Sequence, residues 1–272
     1  MPDDGLLNDK VALVTGAAGA IGYGICGGLL ENGCQVVATD LAGEKLENFA
    51  RDLDELAPGK SVGFPMDVTE TESVKHALDA VVEKFGKLDI VVHNAGVAHV
   101  SKIMDMDIEK FQLLEKVNVD GTLIVLKEAG KKLVELGHGG DIVIMSTKNV
   151  PSPSAGFGAY SCTKAACHQL GRIASQEFAE YDIRVNMVAP DAVFSEGKYK
   201  SGLWDLVGAD RMKARGISEK ELHDYYRNRN LLKASITGRH VANAVLYFVT
   251  RQTPTTGATI PVDGGLPDAT PR

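Results

Sequence analysis

Short apolar segments rich in β-branched residues alternate with longer helical patterns along most of this 272-residue chain. Such alternation is typical of βαβ units, in which crossover helices join parallel strands. The apolar segments are nearly continuous, as strands covered on both faces of a sheet require. The sequence therefore predicts an α/β fold with one doubly wound parallel sheet of about seven strands and helices on both faces. The predicted strands are residues 11–15, 35–40, 62–67, 89–94, 141–147, 184–189 and 258–262.

One connection of the predicted sheet is much longer than the others. It runs from about residue 191 to 234 and combines helical patterns with Trp204, Tyr225 and Tyr226. Long excursions that follow a strand are often functional lids. Because no repeat and no shift in composition marks a second domain, we expect one domain over 1–272 with a substrate lid at about 191–234. The predicted helices elsewhere include 72–85, 108–136 and 160–181.

Charge and composition argue against several classes of protein. The formal net charge is −7 and no basic block is present, so the phosphate contacts that dominate nucleic-acid affinity have no obvious source. No run approaches the roughly 18 apolar residues of a membrane span, and Asp3 and Asp4 stand where a signal peptide needs positive charge. We expect a cytoplasmic protein with no nucleic-acid partner, no membrane association and no metal, since no cluster has metal-ligand spacing. The cysteines, which lack a C-x-x-C pair and indicate reduced thiols, are Cys26, Cys34, Cys162 and Cys167.

A glycine-rich turn, residues 15–22, follows the first predicted strand and opens a helix. Its small residues let the backbone approach a pyrophosphate, and the helix N-terminus supplies amide donors and the positive end of a dipole. The second strand ends at Asp40, 24 residues after Gly16, where a carboxylate can accept hydrogen bonds from both hydroxyls of an adenosine ribose. The same carboxylate would repel a 2′-phosphate, and Gly19 offers no basic side chain to neutralise one. The pattern indicates a dinucleotide site that favours NAD over NADP.

Small or polar residues also follow the third and fourth predicted strands. Ligands of an open parallel sheet sit beyond the carboxyl ends of its strands, at the point where the strand order reverses. We therefore expect these residues to line the cofactor: Asp67, Val68, Asn94, Ala95 and Gly96. His93 precedes them inside a buried strand, and we interpret it as a packed residue rather than a catalytic one or a metal ligand.

A tyrosine and a lysine four residues apart, Tyr160 and Lys164, share one face of a predicted helix. A tyrosine with an ordinary pKa of about 10 is a poor base near neutral pH. Lowering that pKa by about three units requires roughly 4 kcal/mol of preferential stabilisation of the phenolate, which a nearby ammonium and an oxidised nicotinamide ring could supply together. The pair follows a strand that ends in two hydroxyl residues, Ser146 and Thr147.

In their order along the chain, these residues resemble the short-chain dehydrogenase/reductase family. The resemblance covers about residues 9–265 and includes Asn118 and a closing Val-Asp-Gly-Gly at 262–265. It implies a Rossmann-type domain, usually tetrameric, that transfers a hydride between a nicotinamide cofactor and an alcohol or carbonyl. By this resemblance Tyr160 is the acid/base, Lys164 holds the nicotinamide ribose and lowers the tyrosine pKa, and Asn118 anchors a proton-relay water. We accordingly expect a homotetramer or homodimer.

The same resemblance assigns the cofactor contacts. The middle glycine of the family's turn is Ala20 here, which is small enough to keep the approach to a pyrophosphate open. The usual Pro-Gly after the sixth strand is Pro190-Asp191, so a carboxylate enters the substrate side of the site. The expected cofactor contacts are Gly16, Ala18, Ala20, Ile21, Asp40, Leu41, Asp67, Val68, Asn94, Ala95, Gly96, Tyr160, Lys164, Pro190 and Val193.

The family's active-site serine usually lies thirteen residues before the tyrosine, and here that position is Thr147. A threonine hydroxyl can donate the same hydrogen bond to a substrate oxygen. Ser146 is the alternative, but it would need a shift of one residue, because strand alternation points it to the opposite face. The expected catalytic residues are Asn118, Thr147, Tyr160 and Lys164.

Residues 190–233, together with 146–150, are also similar to the dehydrogenase part of bifunctional aldolase/dehydrogenase proteins of deoxysugar catabolism. This narrower resemblance implies a polyhydroxylated or sugar-derived substrate, and a lysine at 148 could hold an anionic group. We therefore expect an NAD-dependent oxidoreductase of a sugar, a polyol or an acidic sugar derivative. Two alternatives remain, a ketoreductase for bulkier hydrophobic ketones and a catalytically inactive NAD-binding regulator. The expected substrate contacts are Thr147, Lys148, Asn149, Tyr160, Asp191, Arg227 and Arg229, with the other charges of 191–234 mostly solvated.

Overall fold

The structure, a computed structural model, describes residues 5–267. Residues 1–4, with Asp3 and Asp4, and residues 268–272 lie outside the described part, and so do the expectations for them. The strands are β1 (Val11–Thr15), β2 (Gln35–Asp40), β3 (Ser61–Pro65), β4 (Ile90–His93), β5 (Gly140–Met145), β6 (Ile183–Pro190), β7 (Ser195–Glu196), β8 (Tyr199–Lys200) and β9 (Thr259–Val262). Seven of them form a parallel sheet in the order β3-β2-β1-β4-β5-β6-β9, which confirms the predicted doubly wound α/β sheet.

Helices cover both faces of this sheet. The α-helices of residues 5–267 are α1 (Ala20–Glu31), α2 (Glu44–Leu56), α3 (Thr71–Phe85), α4 (Ile108–Leu114), α5 (Gly121–Leu136), α6 (Gly158–Glu177), α7 (Gly202–Arg215), α8 (Glu219–Asn228) and α9 (Gly238–Val249). Alternate residues of β1 serve the two faces: Ala12 and Val14 pack with α1, α2 and α9, whereas Val11 and Leu13 pack with α3, α5 and α6. A strand with two apolar faces is therefore buried on both sides, as its near-continuous apolar sequence requires.

Two strands, β3 and β5, end earlier than the sequence predicts. β3 ends at Pro65 rather than Asp67, and β5 ends at Met145 rather than Thr147. The Asp67 carboxylate accepts hydrogen bonds from the amide and the hydroxyl of Thr69, which closes a turn in place of further strand pairing. The polar residues expected inside strand ends thus lie in the turns beyond the sheet, where their side chains can meet a ligand.

Residues 108–136 are helical throughout, as predicted, but they do not form one uniform α-helix. A π-helical turn, Glu115–Asp120, separates α4 from α5. Such a wider turn is frequent at functional sites, and here it contains Asn118, which is fully buried. The Asn118 side chain forms hydrogen bonds with groups outside its own helix, on Val97 and Thr163.

The excursion over 191–234 contains a short hairpin, β7–β8, followed by α7 and α8. Tyr199 of the hairpin packs its ring 4.7 Å from that of Tyr23 and 5.0 Å from that of Phe49, and its hydroxyl donates to Asp52. At the other side of the excursion, Val207 of α7 is buried in one cluster with Phe157 and Tyr160. The excursion therefore rests on α1 and α2 at its start and covers the helix that carries Tyr160.

The approach of α1 to α9 gives a test of the packing. A Cβ on Gly24 would overlap the backbone of Gly238, whereas a Cβ on Gly27 would lie 3.8 Å from Leu56 Cδ2, an ordinary contact. We expect Gly24→Ala to lower the free energy of unfolding by about 1–3 kcal/mol, because the helices must separate. The matched variant Gly27→Ala should be neutral or raise it by up to about 1 kcal/mol, since alanine favours a helix interior over glycine. Urea unfolding measures both, and equal effects would contradict the packing argument.

Candidate active site

A cavity of about 690 Å³ runs along the carboxyl ends of the parallel strands. It is lined by the turn between β1 and α1, the residues after β2, β3, β4, β5 and β6, the start of α6, and the excursion. This is the edge at which the strand order reverses, between β1 and β4, and it is where open parallel sheets bind ligands. Of the expected cofactor contacts, all but Ala18 line the cavity.

The glycine-rich turn fits a dinucleotide pyrophosphate. Gly16 has a φ of +57°, and a Cβ there would lie 2.6 Å from Ala95 Cα, so only glycine suits the position. Asn94 fixes the turn from the neighbouring strand by donating from Nδ2 to the Gly16 carbonyl at 2.7 Å. At Gly19, the N-cap of α1, no side chain caps the helix and a Cβ would meet nothing within 4 Å. The first amides of α1 and the open space before them form a cradle suited to an anion.

Asp40 lies at the end of β2 with its carboxylate held in place. Oδ2 accepts from the Ala18 amide at 3.0 Å, and Oδ1 accepts from the Leu41 amide at 2.9 Å. Ala18 is buried behind the turn, so it orients the carboxylate and does not contact the cavity. Lys45 of α2 lines the same end of the cavity. Sequence reasoning missed this cation, although its position five residues after Asp40 could have indicated it.

Asn118 does not line the cavity but connects two of its walls. Its Oδ1 accepts from the Val97 amide and its Nδ2 donates to the Val97 carbonyl, both at 2.9 Å, while Nδ2 also donates to Thr163 Oγ1 at 3.0 Å. Val97 follows Gly96 in the cavity wall, and Thr163 lies between Tyr160 and Lys164. Close packing continues at Gly96, where a Cβ would lie 3.2 Å from both Asn118 Oδ1 and Lys164 Nζ.

The family resemblance assigns a relay water to Asn118, whose main-chain carbonyl already accepts two side-chain donors. The Thr122 hydroxyl donates to it at 2.5 Å and the Cys167 thiol at 3.0 Å. A water at this carbonyl would have to share it with both groups. The structure thus gives Asn118 a clear part in positioning the site.

Tyr160, Thr147 and Lys164 all line the cavity. Burial raises the pKa of Tyr160 to about 12, and a hydrogen bond from Thr147 opposes that rise. Burial lowers the pKa of Lys164, whose ammonium donates to the Met145 carbonyl at 2.9 Å. The expected lowering of the tyrosine pKa by Lys164 is therefore not found among the groups present, because burial of the phenol is the dominant effect.

Ser146 and Thr147 both line the cavity but face different partners. Thr147 is hydrogen-bonded to Tyr160, and its Oγ1 accepts from the Asn149 amide at 3.3 Å. Ser146 Oγ lies 3.0 Å from His168 Nδ1, on the same helix as Tyr160 but two turns further on. This arrangement favours Thr147 as the hydroxyl beside the reacting oxygen and gives Ser146 a contact that sequence reasoning missed.

Lys148 and Asn149 are almost fully buried in the cavity wall. The Lys148 ammonium donates to Ser154 Oγ at 2.9 Å and to the Ser152 carbonyl at 3.3 Å, contacts that hold it in the loop before α6. Asn149 Oδ1 is buried and accepts no hydrogen bond from any group of the described residues. Such an acceptor costs about 1–3 kcal/mol unless a ligand or an ordered water supplies a donor.

Two of the charged residues expected to contact substrate, Asp191 and Arg229, bind each other. Arg229 donates from Nε to Asp191 Oδ2 at 3.2 Å and from a terminal nitrogen to Oδ1, a bidentate pair that lines the cavity. The pair joins the end of α8 to the end of β6, so the Asp191 carboxylate is neutralised. Arg227 does not line the cavity: it is half exposed and pairs with Asp224 one turn earlier, because it lies on the outer face of α8.

The expectation of solvated charges in the excursion is wrong for Arg211. This residue of α7 is 5% exposed, its guanidinium lies 4.8 Å from the centre of the Phe157 ring, and it donates to Ala155 and to the Tyr226 hydroxyl. Arg229 stacks on Tyr226 at 4.2 Å from the ring centre. Tyr226 and Trp204 both line the cavity. The aromatic content of the excursion was the signal for these walls, but no pattern in the sequence indicated Arg211.

A parallel sheet with a glycine turn at its switch point, an acidic residue after β2 and a buried Tyr-Thr-Lys group defines a nucleotide-binding α/β oxidoreductase. The short chain dehydrogenase family model matches residues 10–204. The chain belongs to the short chain dehydrogenase family, whose members use a nicotinamide cofactor. Within residues 5–267, no helix is long and apolar enough to cross a membrane, and no group of three His, Cys, Asp or Glu could hold a metal ion.

Individual relatives agree with this assignment. The chain is 34% identical over its whole length to the uncharacterized oxidoreductase YuxG of Bacillus subtilis, of which it spans 39%. It is 33% identical to D-threitol dehydrogenase of Mycolicibacterium smegmatis over 76% of this chain and 78% of that protein. Among solved structures, sorbitol-6-phosphate 2-dehydrogenase SrlD of Erwinia amylovora superposes with a TM-score of 0.85 at 27% identity, over 94% of this chain and 98% of that one.

The two hydroxyls can be separated experimentally. We expect Thr147→Ala to lower kcat/KM by about tenfold or more, because it removes the donor beside Tyr160, and Ser146→Ala to lower it less. Steady-state kinetics of both variants with the same alcohol provide the comparison, and Thr147→Ser is the control that keeps the hydroxyl. A larger defect in Ser146→Ala would exchange the two assignments.

Proposed function

We propose that this protein is an NAD-dependent dehydrogenase of a small polyhydroxylated substrate, a polyol, a sugar or an acidic sugar derivative. The observation that carries the proposal is the polar wall beside Tyr160, formed by Thr147, Lys148, Asn149 and the Asp191–Arg229 pair. The buried Asn149 oxygen without a donor is best satisfied by a ligand that brings hydroxyl groups. D-threitol dehydrogenase and sorbitol-6-phosphate 2-dehydrogenase, to which the chain is similar, are named for substrates of this class.

The proposed chemistry uses three side chains. A nicotinamide cofactor would accept or deliver the hydride, and in its oxidised form its positive charge would favour the phenolate. In the oxidative direction Tyr160 removes the proton of the substrate hydroxyl, while Thr147 donates a hydrogen bond to the same oxygen. Lys164 places its ammonium beside Gly96 in the cavity wall, where it can donate to the hydroxyls of a ribose.

Lys148 and Arg229, both in this polar wall, supply the proposed recognition of substrate. Lys148 is held by Ser154 with its ammonium at the cavity, where it can donate to a hydroxyl or an anionic group. Arg229 donates two of its five guanidinium N–H groups to Asp191, and the remaining N–H groups can donate to a ligand in the cavity. Arg227, paired outside the cavity, is not part of this proposal.

The excursion is proposed to act as the substrate lid, as its length suggests. Its apolar wall, with Leu203, Trp204 and Leu206, also supports the second candidate, a reductase of bulkier hydrophobic ketones. The narrower similarity to the dehydrogenase part of deoxysugar aldolase/dehydrogenase proteins stays a prediction, and it agrees with a hydroxylated substrate.

We also propose a homodimer or homotetramer in a reducing compartment such as the cytoplasm. Several helices that pack on the sheet expose large apolar side chains on their outer faces, and a second copy of this protein would cover them. They include Leu123 of α5, Ile173 of α6 and Tyr247 of α9. All four cysteines are free thiols, three of them buried, as a reducing compartment permits. Light scattering coupled to gel filtration measures the assembly.

The function is tested with a substrate panel. D-threitol, sorbitol and sorbitol 6-phosphate are offered with NAD, and acetophenone with NADH, to the parent and to Tyr160→Phe. We expect turnover of at least one polyol and a loss of about 10²–10⁴-fold in the variant, with NADH binding kept. Because burial raises the pKa of Tyr160, oxidation should accelerate from pH 7 towards pH 10 as the phenolate fraction grows.

Other outcomes identify the alternatives. Turnover of acetophenone alone would favour the ketoreductase, and NADH binding without turnover of any compound would favour the inactive regulator. A variant that keeps more than about a tenth of the parent rate would remove Tyr160 from the proposed chemistry.

Asp40 should control the choice of cofactor. Asp40→Ala removes two ribose hydrogen bonds and the repulsion of a 2′-phosphate while Lys45 remains nearby. Since a hydrogen bond to a charged group contributes about 1.5–3 kcal/mol, we expect the ratio of kcat/KM for NAD over NADP to fall by about tenfold or more. Asp40→Ala with Lys45→Ala is the control, because the double variant lacks the cation that would attract the phosphate. A parent enzyme that prefers NADP would contradict the proposal for NAD.

A further inference from the structure

His93 is a buried titratable residue that the proposed chemistry does not use. It is the last residue of β4, is 2% exposed, and has both ring nitrogens in hydrogen bonds. Nδ1 lies 3.0 Å from Thr15 Oγ1, at the end of β1, and Nε2 lies 3.0 Å from Thr122 Oγ1, in the first turn of α5. The imidazole therefore spans from the glycine-rich turn to the helix that follows the π-turn.

The donors and acceptors around His93 fix the direction of each hydrogen bond from Thr15 to Asn118. Thr15 Oγ1 accepts from the amides of Asn94 at 3.1 Å and Ala95 at 3.0 Å, which occupies both of its lone pairs. Its own proton must then go to His93 Nδ1. The proton of the neutral ring is consequently on Nε2 and is donated to Thr122, whose hydroxyl donates onward to the Asn118 carbonyl.

This direction requires a neutral imidazole. A proton on Nδ1 would face the Thr15 hydroxyl, which has no lone pair left to accept it. Burial, with the nearby Lys164 charge, lowers the pKa of His93 to about 3, so the ring is neutral at physiological pH. These hydrogen bonds from Thr15 to Asn118 therefore keep the same directions at neutral and alkaline pH, where His93 stays neutral.

This series of hydrogen bonds ends at Asn118. Asn118 joins the cavity wall at Gly96 and Val97, called the cofactor wall below, to α6, the helix that carries Tyr160 and Lys164. Asn118 holds Val97 by two bonds and Thr163 by one, and Thr163 lies one residue before Lys164. In an α-helix the Asn118 carbonyl would accept the amide four residues on. At the end of this π-turn the Gly121 amide donates to it instead, together with the Thr122 hydroxyl and the Cys167 thiol. The orientation of this peptide group depends on Thr122, and that of Thr122 depends on His93.

We propose that His93 and Thr122 are positioning residues that link the glycine-rich turn to Asn118 and so hold the cofactor wall in register with Tyr160 and Lys164. Neither residue lines the cavity, and both act through Thr15 at one end and Asn118 at the other. The link is built only from buried hydrogen bonds, so the loss of one member leaves the others unsatisfied.

Thr122→Val tests the Asn118 end of the link. Valine keeps the shape of threonine but neither accepts from His93 nor donates to Asn118. We expect kcat to fall by about 10- to 100-fold, as small displacements of reacting groups do, with the Kd of NADH, measured by fluorescence, within about threefold of the parent. Thr122→Ser restores the hydroxyl and should recover most of the lost kcat.

Thr250→Val is the matched control. Thr250, at the end of α9, also donates to the carbonyl four residues earlier, at 2.8 Å from Leu246 O, and does not line the active-site cavity. Both valine variants lose a threonine hydroxyl bond of the same kind, so both should lower Tm. Only Thr122→Val should lower kcat at a temperature well below either Tm.

Two substitutions of His93 separate the ends of the link. The amide of His93→Asn occupies the region of Nδ1 and can accept from Thr15, whereas the longer amide of His93→Gln reaches the region of Nε2 and can donate to Thr122. Of the two variants, we expect His93→Gln to retain the higher kcat. We expect His93→Asn to have the Kd of NADH that is closer to that of the parent.

The proposal rests on the oxidoreductase activity proposed above, and the two fail differently. If the parent turns over no substrate of the panel, the proposed function fails before any variant is compared. If the parent is active and Thr122→Val keeps its kcat, or loses no more than Thr250→Val, the positioning role of His93 and Thr122 is wrong. Failure of Thr122→Ser to recover kcat would also overturn it.

Discussion

The covering of the parallel sheet by helices on both faces is the constraint on which the rest of the structure depends. The middle residues of strands such as β1 and β5 are apolar towards both layers, and their polar side chains lie at the strand ends, with Asp141 near the start of β5 and Thr15 at the end of β1. The polar side chains at the carboxyl ends share one edge, because all strands of the parallel sheet end there. Asp40, Asn94, Thr147 and Asp191 come from four different strands and meet in one cavity for this reason.

Within that edge, hydrogen bonds between neighbouring loops fix the geometry of the site. Asn94 bonds to Gly16, Asn118 bonds to Val97 and Thr163, and each bond joins elements far apart in the sequence. The π-turn that carries Asn118 is a local departure from helical geometry, compensated by these bonds. Polar networks of this kind are costly when incomplete, so a fully bonded Asn118 holds one arrangement of the surrounding loops.

The excursion over 191–234 is attached to the body of the protein by different interactions at its two ends. Aromatic stacking of Tyr199 on Tyr23 attaches the hairpin, and the Asp191–Arg229 pair attaches the end of α8. Separation of that pair would leave a nearly buried charge without a partner, at a cost of several kcal/mol. The pair thus fixes the far wall of the cavity, whereas the sequence suggested two independent contacts with substrate.

The sequence alone determined the α/β class, the number of sheet strands, the glycine turn, Asp40 and the Tyr160–Lys164 spacing. These features depend on local periodicity and on contacts within a few residues, which a sequence displays directly. Only the tertiary structure decided that Asp191 pairs with Arg229, that Arg211 is buried, that a π-turn containing Asn118 interrupts the α-helical geometry, and that His93 bridges Thr15 and Thr122. Each of these depends on which side chains from distant segments meet, and the side-chain period of a strand or helix specifies a face without specifying the partner that covers it.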